Sequence, residues 1–183
     1  MRIALVQQPA TADLADNLAR GLAAFDRAAD AGAEFADGAT ATYHQVWWQQ
    51  LRALAALGAR GADAADEARE ALAKIERWCA SSEANHRHRV ALLSAEIARV
   101  EGRDGDALQA YDAAISHARD HGFMHEEALA NELAARFYLA KGSEPAARGY
   151  LAEARQVYEA WGSLAKVEHL DEELGHVFQR RSR

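Results

Sequence analysis

The chain has 183 residues, a formal net charge of −7, two prolines and one cysteine. Half of its residues are hydrophobic while Val, Ile and Thr are sparse, which excludes a large β-sheet and places the chain in the all-α class. The negative charge opposes general nucleic-acid binding, which needs clustered Lys and Arg, and the lone Cys79 excludes an internal disulfide. No stretch approaches the roughly twenty apolar residues of a membrane helix, and the beginning carries no cleavable signal pattern, so a cytoplasmic protein without membrane contact is expected.

In chain order, residues 1–11 read as an extended segment in which residues 3–6 form a short strand or an unanchored stretch, stopped before Pro9. Residues 12–40 hold a first helix and its connection. That helix begins near Asp13, carries the apolar stripe Leu14, Leu18, Leu22 and Phe25, and ends at Gly32. A second helix runs from Tyr43 to Leu57, a turn follows at 58–61, and a third helix from about Asp63 to Ala80 aligns Ala68, Leu72, Ile75 and Cys79. Five further helices are predicted at 84–101, 104–121, 124–141, 144–161 and 163–178, with Ser81, Ser82, Asp104, Ser143 and Ser163 as candidate N-caps and Pro145 in a first turn. The helical repeats thus occupy 41–178 of a single domain spanning 1–183, and 179–183 form a basic tail.

The strongest regularity lies in Gly102, Gly122, Gly142 and Gly162, spaced twenty residues apart. A glycine just past a helix can adopt the left-handed conformation that closes it, at roughly 1 kcal/mol less cost than a residue with a Cβ. Sliding the chain forty residues along itself places Ala107 on Ala147, Ala114 on Ala154, Tyr111 on Leu151 and Gly122 on Gly162. Small residues at fixed places in successive helix pairs describe a tetratricopeptide-like α-solenoid of about eight antiparallel helices.

Two resemblances extend this reading. Arg77-Trp78, the run Leu93 to Arg99, Ala110 to Ile115, Glu126 to Leu139, Ala146 to Ala154 and Trp161 to Val167 resemble the helical region of large bacterial multi-sensor signal-transduction kinases, over about residues 42–178. The resemblance implies a tetratricopeptide-like scaffold lying between a nucleotide-binding ATPase module and sensor and histidine kinase modules. Residues 1–34, through Met1 to Gln7, Asp16 to Arg20 and Ala31 to Glu34, resemble the opening of the nitrilase, or carbon-nitrogen hydrolase, family. That likeness stops before the chemistry: Phe35-Ala36-Asp37-Gly38 stands where the family has the strand carrying its glutamate base, and Cys79 lacks the family's surroundings. An upstream repeat helix, or a fragment or chimera of a nitrilase-type amidohydrolase without its catalytic residues, are the alternatives for this segment.

No phosphate-binding glycine loop or kinase catalytic motif is present, and His125-Glu126 lacks the proline that follows the phosphoacceptor of a histidine kinase. His117, His121 and His125 are spaced for a metal, but Gly122 interrupts the helix that would align them, and His169, Glu172, Glu173 and His176 read as a solvated stripe. The expectation is therefore a non-enzymatic scaffold with no cofactor and no metal, partnered by a protein or peptide segment or by adjoining kinase, ATPase or sensor modules. A homo-oligomer through an uncapped terminal repeat is a further expectation. The expected partner surface is Arg87, Ser94, Glu127, Asn131 and Tyr138 on the first helices of successive pairs, joined by Trp48, whose ring is rotated away from Trp47 and Leu51. Trp78, Tyr150, Tyr158 and Trp161 are assigned to contacts between helices.

Overall fold

The computed structural model describes residues 43–179, and every long regular element among them is an α-helix. The segment expected at 3–6, the helix expected from Asp13 to Gly32 and the end of the basic tail lie outside the described residues. In chain order the helices are α1 (Tyr43–Arg60), α2 (Ala65–Cys79), α3 (Glu83–Val100), α4 (Asp104–Asp120), α5 (Met124–Ala140), α6 (Glu144–Trp161) and α7 (Leu164–Gln179), with a 3-10 turn at Gly61–Ala64. The chain divides into two compact units at Ile75 and Glu76.

In the first unit α1 continues past the turn expected at 58–61. Gly58 is an ordinary helical residue, and the chain turns at Gly61, whose φ of 59° is left-handed. Val46, Ala53, Ala56 and Leu57 of α1 are buried, as are Ala65, Ala68, Ala71 and Ile75 of α2. Arg52 and Arg60 both reach Glu67, the first at 2.9 Å, which ties α1 to α2. The Arg60 guanidinium holds the Glu67 carboxyl below the usual range, against a smaller opposing effect of burial.

The second unit is built from hairpins. Its most extensive pairings are α3 with α4 and α5 with α6, and α3 also approaches α5 directly. Each turn uses the same closure. The amide nitrogens of Arg103, Phe123, Ser143 and Ser163 donate to the carbonyls of Ala98, Ala118, Tyr138 and Tyr158 at 2.9 Å in every case. The intervening Gly102, Gly122, Gly142 and Gly162 have φ between 73° and 86° and donate to the carbonyls of Arg99, Arg119, Leu139 and Glu159. This is the paired bonding of the Schellman motif, recurring every twenty residues.

The small residues do the packing that the register implies. Ala95 and Ala135, Ala107 and Ala147, and Ala114 and Ala154 are all fully buried at matching places in the two hairpins. With no side chain beyond Cβ, they let the helix axes approach more closely than Leu would allow. Leu151, Ala154 and Tyr158 of α6 pack with Ala128 and Ala135 of α5 and with Val167, Leu170, Leu174 and Val177 of α7. Burying each large aliphatic side chain contributes on the order of 1.5–3 kcal/mol.

Two local expectations are corrected. Asp104 is the first helical residue of α4 and Arg103 occupies the cap position, while Ser82 and Ser143 sit at N-caps whose side chains make no capping bond. The tight Schellman exit already fixes the chain direction, and the backbone carbonyls of Arg103, Ser143 and Ser163 accept from Ala107, Ala147 and Val167. Trp161, expected between helices, is 52% exposed because it lies in the last turn of α6 beside the chain reversal.

Candidate functional site

The residues expected to line a partner surface fall into different environments. Arg87 is exposed near the start of α3, where its guanidinium engages Glu83 and its Nε donates to His117 Nε2 at 3.2 Å. Ser94 is half-buried, and its hydroxyl donates back to the Val90 carbonyl at 2.8 Å. Glu127 and Asn131 are buried. The Glu127 carboxylate accepts from Arg119 Nε of α4 at 2.7 Å, and Asn131 Nδ2 donates to the Glu127 carbonyl at 2.9 Å. Tyr138 is half-buried with its ring stacked on Tyr150 at 5.4 Å, and the Tyr150 hydroxyl donates to Asp112 at 2.7 Å.

These residues do not form one open face. The side of α5 that carries Glu127 and Asn131 is covered because α5 packs against both α3 and α4, whereas Arg87 is exposed and Ser94 and Tyr138 are half-buried, with the Ser94 hydroxyl turned back onto its own helix. On α1 the order expected for the aromatics is reversed: Trp47 is 42% exposed and Leu51 is exposed, whereas Trp48 is half-buried. Tyr150 and Tyr158 do make the expected contacts between helices, through Asp112 and Glu132.

The structure instead brings together a buried polar network. Glu96 on α3 accepts from Arg99 at 2.7 and 3.0 Å and from the Tyr111 hydroxyl of α4. Glu132 on α5 accepts from Arg136 at 3.0 and 3.1 Å, from Tyr158 of α6 at 2.9 Å and from Lys166 of α7 at 2.9 Å. Arg136 also grips Glu173 of α7 with two bonds of 2.7 Å. That fork holds the Glu173 carboxyl below its ordinary range despite partial burial. Burial first, then the adjacent carboxylate, pushes the hydroxyls of Tyr111 and Tyr158 above the usual tyrosine range, so both remain hydrogen-bond donors. A third element is the fully buried ion pair between Arg89 of α3 and Glu126 of α5, at 2.6 Å. The one sequence trace of this network is Glu followed by Arg three or four residues later inside otherwise apolar helices, and that spacing is commonplace on solvated faces.

Among the described residues no group of three or more His, Cys, Asp or Glu is placed to hold a metal ion. His121 lies over the His117 carbonyl at 2.9 Å, His125 packs on Trp161 at 5.4 Å, and His169 lies 3.2 Å from Glu173. Cys79 is half-buried, and burial, followed by Glu83, pushes its thiol above the ordinary range, the opposite of an activated nucleophile. No described helix is long and apolar enough to cross a membrane.

No family model matches the chain, and no solved structure matches it. A segment of 62 residues is 37% identical to the hybrid signal transduction histidine kinase G of Dictyostelium discoideum. The match takes in 34% of this chain but 2% of that protein. The described residues are thus all-helical, and the chain has local similarity to a signal-transduction kinase.

Proposed function

We propose that this chain is a non-enzymatic protein–protein interaction scaffold, a tetratricopeptide-like helical-repeat module of a signal-transduction kinase or of an ATPase regulator, acting in the cytoplasm. The observation that carries the reading is the recurrence in the second unit: two hairpins on one forty-residue register, closed by identical turns, with their first helices in contact. Stacking of this kind buries a continuous core and leaves helix faces free for partners, which is how helical-repeat proteins bind. The local similarity to a histidine kinase supports a signalling setting. The partner is a protein or peptide segment, or an adjoining kinase, ATPase or sensor module. Arg87 and Tyr138 are the residues through which the first helices of the two hairpins would read it.

Calorimetric titration tests this with sensor, kinase and ATPase modules encoded in the same or neighbouring reading frames. One of them should bind, and a double Arg87→Ala, Tyr138→Ala variant that keeps its helical spectrum should bind about tenfold more weakly or worse. Equal affinity for wild type and the folded variant would move the surface elsewhere. Failure of every module to bind would count against the scaffold reading itself.

A further inference from the structure

His88 is an anomaly in the core of the second unit. Its side chain is fully buried in α3, its ring stacks on Phe123 at 4.4 Å in the turn between α4 and α5, and neither ring nitrogen has a hydrogen-bond partner. Buried imidazoles ordinarily satisfy at least one nitrogen. The groups facing it are mostly cationic or able to become so: Arg89 and His86 on α3, His121 at the end of α4 and His125 on α5. The nearby carboxylate of Glu126 is held by Arg89 at 2.6 Å, with His125 Nε2 at 3.6 Å. A proton on His88 would add a charge to a buried site beside Arg89, with no acceptor for either N–H.

We propose that the His88 pocket is an acid-sensitive latch: protonation of its imidazole is incompatible with α3 packed against the α4–α5 turn, so acidification opens that junction. Burial first, then Arg89, His86, His125 and His121, drive the imidazole down to about 3 in the folded chain. Because the folded value lies below the ordinary 6.5, the stability His88 contributes is present above pH 6.5 and is lost as the pH falls from there toward 3. The junction carries both the α3–α5 approach and the Arg89–Glu126 pair, so its opening frees α3 from α5. This inference concerns the junction alone and holds whether or not the chain is a scaffold.

The test compares wild type with His88→Leu by urea melts at about pH 7.5 and about pH 5. The wild-type folding constant should fall about thirty-fold more than that of the variant, and amide protection should be lost first at the start of α3 and in the α4–α5 turn. An equal pH dependence in the two proteins would overturn the latch. A second readout needs no variant: the His88 ring resonances of the folded wild-type chain should stay at their neutral positions down to about pH 5. A His88 that takes up a proton near neutrality with the native spectrum intact would overturn the latch as well.

Discussion

The α3–α4 and α5–α6 hairpins share a backbone plan while their polar side chains follow different plans. The buried alanines and the closing glycines coincide at an offset of forty residues. The carboxylates do not: the position equivalent to Glu96 is Arg136, and the glutamate of the second hairpin, Glu132, lies one turn earlier. Glu96 consequently serves its own hairpin through Arg99 and Tyr111, whereas Glu132 also takes Lys166 from α7 while Arg136 reaches on to Glu173. Between the hairpins the ties are different pairs again, among them Arg89 with Glu126, Arg119 with Glu127 and Tyr150 with Asp112. Small residues fix where helices can stack, and the less repetitive charges tie each helix to its particular neighbour.

The largest effect should come from removing the shared carboxylate. Glu132→Ala leaves Tyr158, Arg136 and Lys166 without their common acceptor and is expected to destabilise by about 3–5 kcal/mol. Glu96→Ala, which strands Tyr111 and leaves Arg99 partly solvated, should cost about 2–3 kcal/mol. Urea melts of the two variants measure the difference, and a larger loss at Glu96 would break the comparison.

The shared plan is probed by overfilling it. Ala114→Leu and Ala154→Leu insert equal volume at equivalent buried places and should each cost about 1–3 kcal/mol, within error of one another. Losses that differ widely would mean that the two hairpins do not use the alanine in the same way.

Smaller again is the cost at the turns. No atom lies within 4 Å of a Cβ added at Gly122 or Gly142, so replacement by Ala there carries only the left-handed backbone penalty, roughly 1–2 kcal/mol at either site. Thermal melts of the two variants should coincide.

The smallest loss is expected at Trp161. Its ring is mostly exposed and leans on His125, so Trp161→Ala should cost no more than about 1 kcal/mol. A loss of several kcal/mol in the same melts would restore it to the core.

These particular residues also mark what could be read from the chain alone. The glycine spacing located the helix ends from α3 to α7 to within a residue or so, because a left-handed closure tolerates few alternatives. Gly58 misled for the complementary reason: a glycine inside a helix costs little enough to be overridden by packing on both sides. The polar surface was the least legible part. Helical periodicity groups Glu127, Asn131 and Tyr138 on neighbouring faces, but which face is covered depends on α3 and α4 arriving from distant sequence, and that contact buries the first two. His88 and Arg89 carry no sequence sign of burial, since such residues are ordinarily solvated.

The central claim is that the hairpins are interchangeable units of a linear stack. It is tested most directly by inserting a second copy of residues 103–142 between Gly142 and Ser143, which preserves both chain junctions. A linear stack predicts a soluble chain with unchanged far-ultraviolet ellipticity per residue, a cooperative urea transition and a larger dependence on denaturant, because more surface is buried. A loss of helix per residue, or a transition whose denaturant dependence stays that of the parent chain, would contradict it.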